Sequence, residues 1–109
     1  NEDIVTNEIS YRKQTLKNIL KKIFFEMDIN YKNFIQAKEV EKNSKKSLDL
    51  VEKSYLEGYS TIYEVNLSIK NWLEAVSIAK QFKYRYLFNI MSLKIYSNNI
   101  NDYSQLKLF

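Results

Sequence analysis

Cysteine, histidine and proline are absent from this chain of 109 residues, and glycine occurs once. Each absence excludes something. Without cysteine there is no disulfide and no thiolate metal site, and the redox compartment stays open. Without histidine the commonest general base and the commonest metal ligand are both missing. Folds with many turns need both glycine and proline, so a sequence whose only breaker is Gly58 favours long helices over a sheet. No apolar run approaches the roughly 20 residues that a membrane-crossing helix requires. The opening NEDIVTNEIS is acidic and has no apolar core, unlike a signal peptide, so an export signal would lie outside this segment. Nucleophile–base pairs, metal-ligand clusters and glycine-rich phosphate loops are also missing. The expectation is therefore a protein that is not an enzyme and carries no cofactor.

What is present is a folded composition, with 45% hydrophobic residues, and a net charge of +4. That charge permits an acidic partner, but the lysines are interleaved with glutamates (Lys38, Glu39, Glu41, Lys42, Lys45, Lys46), as on a solvated helix face. In the first half the apolar positions fall at Leu16, Leu20, Ile23, Met27, Tyr31, Phe34 and Ala37, and then at Ser44, Leu48, Val51 and Tyr55. Mostly alternating steps of four and three mark a coiled-coil seam. Ile19, Phe24, Phe25 and Ile35 widen the stripe, which implies more than one neighbouring helix. Between Val40 and Ser47 the seam thins to small and polar residues.

Beyond the glycine the rhythm returns at Ile62, Val65, Ile69, Leu73, Val76 and Ala79, then Tyr86, Ile90 and Leu93, with Trp72, Phe82, Leu87 and Phe88 alongside. No stretch alternates with the period of two that a strand needs. The pattern predicts helices over about 3–57 and 61–97, a tip at 57–61, and a tail over 98–109. In that tail SNNIND closes the second helix and YSQLKLF forms a short one. At roughly 1.5 Å per residue the first helix would reach about 80 Å, and two such rods cannot cover each other's apolar stripes unaided. The fold expected is all-α, a long antiparallel helical hairpin with coiled-coil packing.

Gly58 supplies the positive φ that stops a helix, Ser60 or Thr61 can cap the next, and Glu64 stands at capping-box spacing from Thr61. Tyr55, Tyr59 and Tyr63, with Ile62 and Val65, crowd the same turn, which is more apolar surface than a hairpin tip in water requires.

At this point the residues resemble a family. The stretch SLDLVEKSYLEGYSTIYEVN is similar to the second periplasmic hairpin of the TolC family of outer-membrane efflux proteins, in their C-terminal repeat. The family pattern there, Y-x-x-G-x-x-[ST]-[IL]-x-[DE]-V, is met in register by Tyr55, Gly58, Thr61, Ile62, Glu64 and Val65. Downstream, Tyr84, Tyr86, Leu87, Leu93 and Lys94 stand at places of the family's following helix, although Lys80 replaces a usual small residue. Asn98 or Asn99 replaces a frequent glycine. Leu67 lies where some relatives carry a second acidic residue facing the pore, and Ser60 where some have a basic partner.

The resemblance implies a segment of a trimeric α-helical barrel. The hairpin would project into the periplasm from a protein anchored in the outer membrane through parts outside this segment, with 98–109 as the equatorial tail. It implies a passive exit duct of a tripartite drug-efflux or type I secretion system. The partners would be two further copies in a homotrimer, a periplasmic adaptor protein and, indirectly, an inner-membrane transporter. Glu64 and Tyr55 would lie at the periplasmic aperture, while Gly58, Ser60, Thr61, Ile62 and Val65 would form the adaptor-docking tip. Each also has a plainer role: Glu64 as a helix cap, Tyr55 as a seam residue, and the rest as turn chemistry. Two other readings stand beside the duct. One is the hairpin of the adaptor itself, whose tips carry an arginine that this turn lacks. The other is a basic coiled-coil binding module, for which KYRYLF at 83–88 is a hint; no nucleic acid is expected.

Overall fold

The computed structural model describes the backbone of residues 2–107 and the side chains of residues 4–98. The described residues form two helices, α1 (Glu2–Leu56) and α2 (Ile62–Lys107), joined by one turn, and include no strand. Only the turn between them interrupts the helical hydrogen bonding. The break expected at 97–102 does not occur, because α2 runs on through those positions to Lys107. Asparagine costs a helix only some tenths of a kcal/mol relative to alanine, and no glycine or proline stands there to force an end.

Contacts gather into two units. One is Asn30–Arg85, with the turn at its centre; the other joins Asn1–Ile29 to Tyr86–Phe109. In the Asn30–Arg85 unit the two helices lie side by side as an antiparallel hairpin. Its less exposed positions on α1 are Phe34, Ala37, Glu41, Ser44, Leu48 and Val51, in strict alternation of three and four. On α2 the matching series is Val65, Ser68, Trp72, Ala75, Ala79 and Phe82. This is the seam of a coiled coil, and alanine and serine fill much of it.

The seam departs from the expected one in an instructive way. Tyr31 and Tyr55 stand 48% and 42% exposed, and half-buried Asn30 and Ser54 take the inward places. Leu73 is exposed, while its neighbour Trp72 turns inward. Geometry decides this. Each residue turns the helix by about 100°, so a step of four overshoots by about 40° and a step of three falls back by about 60°. Two fours in succession, Val65 to Ile69 to Leu73, carry Leu73 off the contact line. The alternating path through Ser68 and Trp72 stays on it. Apolarity nominates candidates, and the period chooses among them.

Burial is thin. The buried apolar residues of this unit are Ala37, Leu48, Val65, Ala75 and Ala79, of which Ala79 is only 2% exposed. In the other unit Ile23 is buried, together with Asn89. No buried side-chain nitrogen or oxygen among the described residues lacks a hydrogen-bond partner. Polar residues placed in a seam fix its register at some cost in stability, since a slipped pairing would strand them against apolar groups. Across the seam Lys45 Nζ sits 4.9 Å from the centre of the Trp72 ring, a cation–π contact worth roughly 0.5–1 kcal/mol at an exposed site. Glu41, at a seam position, is paired with Lys38 at 3.1 Å.

The alanines set how closely the helices approach, so enlarging one must push them apart. Ala79→Leu should destabilise the protein by about 1–3 kcal/mol. Lys70→Ala, on the exposed side of the same helix, should change stability by no more than about 0.5 kcal/mol. Urea unfolding of both variants followed by circular dichroism checks the difference.

Candidate functional site

The tip is built by two local motifs placed back to back. The first closes α1. Gly58 has φ +87°, the only positive φ among the described residues. Its N–H donates to the Tyr55 carbonyl at 3.0 Å, and the Tyr59 N–H donates to the Ser54 carbonyl at 2.9 Å. This 5→2 and 6→1 pairing is a Schellman motif, which satisfies carbonyls that the helix end would otherwise leave open. A side chain at position 58 would meet nothing within 4 Å, so glycine is required there by backbone conformation and not by space.

The second motif opens α2. The Glu64 N–H donates to Thr61 Oγ1 at 3.2 Å, and the Thr61 N–H donates to Glu64 Oε2 at 3.3 Å. That is a complete capping box, with Thr61 as the cap and Glu64 at the third helical position. The Glu64 carboxylate also lies in the first turn, where the helix dipole favours negative charge. A third bond ties the two motifs together, as Ser60 Oγ–H donates to Ser54 Oγ at 2.7 Å. Every residue from Ser54 to Glu64 except Leu56, Ile62 and Tyr63 thus takes part in a hydrogen bond of the turn or in the helix end it closes.

The apolar side chains of this fixed turn point into solvent. Leu56 is 83% exposed, Tyr59 84%, Tyr63 72% and Ile62 54%. A Schellman motif is commonly accompanied by an apolar contact from the residue after the glycine back onto the helix. Tyr59 occupies that place and remains exposed.

The expected site residues divide on this frame. Gly58, Ser60, Thr61 and Ile62 come together at the tip. Ser60 and Thr61 have their hydroxyls engaged in hydrogen bonds of the turn, Ser60 half-buried and Thr61 exposed. Val65 is buried, 7% exposed, and packs in the seam beneath the tip, so that its side chain supports the tip from below and adds little to its surface. Its N–H donates to the Thr61 carbonyl at 3.3 Å, the first helical bond of α2. Glu64 is exposed, with one carboxylate oxygen held by the cap. Tyr55 lies off the seam on the side of α1. The residues missing from the expected set are Leu56, Tyr59 and Tyr63, which supply most of the apolar surface. Their signal was in the sequence as aromatic and aliphatic residues beside a glycine, where a turn in water carries polar ones.

Among the described residues no group of three acidic side chains could hold a metal ion, and no helix is long and apolar enough to cross a membrane. The chemistry within reach of this site is recognition through apolar contact, with the carboxylates of Glu57 and Glu64 at its edge.

Each motif should carry a measurable share of stability. Gly58→Ala forces a left-handed alanine and should cost about 1–2 kcal/mol. Thr61→Ala removes the cap and should cost about 1 kcal/mol, whereas Glu64→Gln, still a capping-box residue, should unfold within about 0.5 kcal/mol of the parent. Midpoints of urea unfolding test the ordering. Compared with known proteins, this chain matches no family model, no curated protein and no solved structure.

Proposed function

We propose that this chain is one helical hairpin in the wall of a homotrimeric exit duct, projecting into the periplasm from an outer-membrane protein. Its tip narrows the passage and meets an adaptor protein. The observation that carries the reading is the tip itself: a turn fixed by three sets of hydrogen bonds that holds four apolar side chains in solvent. Rigid, exposed apolar surface at the end of a hairpin is a docking surface, because ordering it for a partner costs little further entropy.

The sides of the hairpin support an assembled state. Twenty-three large hydrophobic residues among those described are exposed, against six buried hydrophobic ones, three of which are alanines. Helices in a closed ring have a neighbour on each flank, which covers such residues without any further segment of the chain. In a trimer Glu64 would recur three times around one axis. A ring of carboxylates favours cations at a constriction. The duct is a passive conduit in this reading, with no catalytic step.

The basic coiled-coil module is the second reading, and it rests on the lysines that surround Trp72. Salt-dependent binding of DNA or RNA by the full chain would favour it over the duct.

Glu64→Gln separates the gate from the cap, since glutamine keeps the capping box and loses the charge. In the full-length trimer reconstituted in planar bilayers, this variant should show weaker cation preference at unchanged thermal stability. Unaltered selectivity would remove Glu64 from the aperture. Tyr59→Ser combined with Ile62→Ser should leave stability within about 1 kcal/mol and abolish cross-linking between the tip and its adaptor.

A further inference from the structure

In the Asn30–Arg85 hairpin, a residue that directly follows a seam residue lies about 100° round its helix, and in an antiparallel pair all such residues share one face. On α2, Ser68, Trp72 and Ala75 of the seam are followed by Ile69, Leu73 and Val76, and Ala79 and Phe82 by Lys80 and Lys83. On α1, Phe34, Ala37, Glu41 and Ser44 are followed by Ile35, Lys38, Lys42 and Lys45, and Leu48 and Val51 by Asp49 and Glu52. An open depression of about 600 Å³ on this face is lined by Ile35, Lys38, Lys42 and Lys45 of α1 together with Trp72 of α2. Glu41 lines it as well and, farther from the seam, so do Glu39 and Lys46.

Two properties meet here. The α2 half is a second apolar strip, with Ile69 and Val76 half-buried and Leu73 53% exposed. The steps from Ile69 to Leu73 to Val76 are a four and a three, as in a coiled-coil seam, and no third helix is present among the described residues to complete it. The α1 half is basic. Lys38 pairs with Glu41 at 3.1 Å and Lys45 with Asp49 at 3.4 Å, whereas Lys42, Lys80 and Lys83 have no ion pair among the described residues. Glu39 and Lys46 offset each other. Glu74 is the only acidic residue of α2 between Glu64 and Asp102, and it lies two residues on from Trp72, about 200° round, on the far side of the helix. Positive charge is therefore in excess beside the strip, and Asp49 and Glu52 reverse the balance only toward the tip.

We propose that this face seats a third helix, acidic and amphipathic, supplied by a partner protein. Its apolar stripe lies on Ile69, Leu73, Val76 and the outer edge of Trp72, and its carboxylates meet Lys42, Lys80 and Lys83. Asp49 and Glu52 repel those carboxylates nearer the tip, which fixes the register of the docked helix. Charge disfavours a second copy laid face to face, because lysine would oppose lysine. A nucleic acid would use the lysines and leave the aliphatic strip bare, and Lys45 at 4.9 Å already occupies one face of the Trp72 ring on which a base would stack. Docking of this helix is independent of the duct reading, since it needs only one face of the hairpin.

Trp72 is the only tryptophan of the chain, so its emission reports occupancy of the face. The full chain is titrated with two designed helical peptides free of tryptophan, about three heptads long, whose leucine seams are flanked by glutamate in one and by lysine in the other. The glutamate peptide should shift the Trp72 emission and bind at least about tenfold more tightly than the lysine peptide, as calorimetry would also show. Leu73→Asn should weaken it about tenfold, and Lys42→Glu combined with Lys80→Glu should invert the preference between the peptides. Ile78→Glu, on the opposite face with Ala75 and Phe82, should change neither. All four positions are exposed, and circular dichroism checks that each variant keeps its helices. Binding of neither peptide, equal binding of both, or loss through Ile78→Glu in place of Leu73→Asn would each overturn the proposal. So would a parent dimer in sedimentation equilibrium that Leu73→Asn disperses, which assigns the face to a second copy. Single-stranded RNA held through Lys42 and Lys80 more tightly than the glutamate peptide would overturn it in favour of nucleic acid.

Discussion

How closely two helices can approach at Ala37, Ala75 and Ala79 governs the Asn30–Arg85 hairpin. Small side chains at a seam bring the backbones together, and the helices gain dispersion contacts along their length in place of deep burial of large groups. The trade is a core with little apolar area in it. Leu48 and Val65 are the only large aliphatic residues fully inside this unit. The aromatic and long aliphatic side chains that would make a globular core stand on the flanks and at the tip, where only another chain or another helix can cover them.

The turn follows the same economy. One glycine, one threonine and one glutamate satisfy part of the free groups of two helix ends, and a serine–serine bond joins them. The polar work is done by the backbone and by the Ser54, Ser60, Thr61 and Glu64 side chains, and the larger apolar residues of the turn face outward. Leu56, Tyr59 and Tyr63 are therefore consequences of the same construction that makes the turn rigid. Recognition and rigidity do not compete for the same atoms, with one exception. Glu64 is the cap of α2 and also an exposed carboxylate, so a ligand at the aperture proposed above would share it with a structural bond.

The amino-acid sequence by itself determined that the chain is two helices and one turn. Periodicity without proline leaves no other regular structure, and a lone glycine beside a capping box leaves one place to bend. It also located the tip to within a residue. Three things were decided only by tertiary structure. Which of two adjacent residues enters the seam depends on the cumulative rotation of the helix against its partner, and so Trp72 displaced Leu73 and Ser54 displaced Tyr55. Whether SNNIND ends a helix depends on its surroundings, since asparagine permits a stop without requiring one, and α2 continues. Whether Val65 belongs to the surface of the tip or to its support depends on the direction of one side chain relative to α1, which exists only when the two helices lie together.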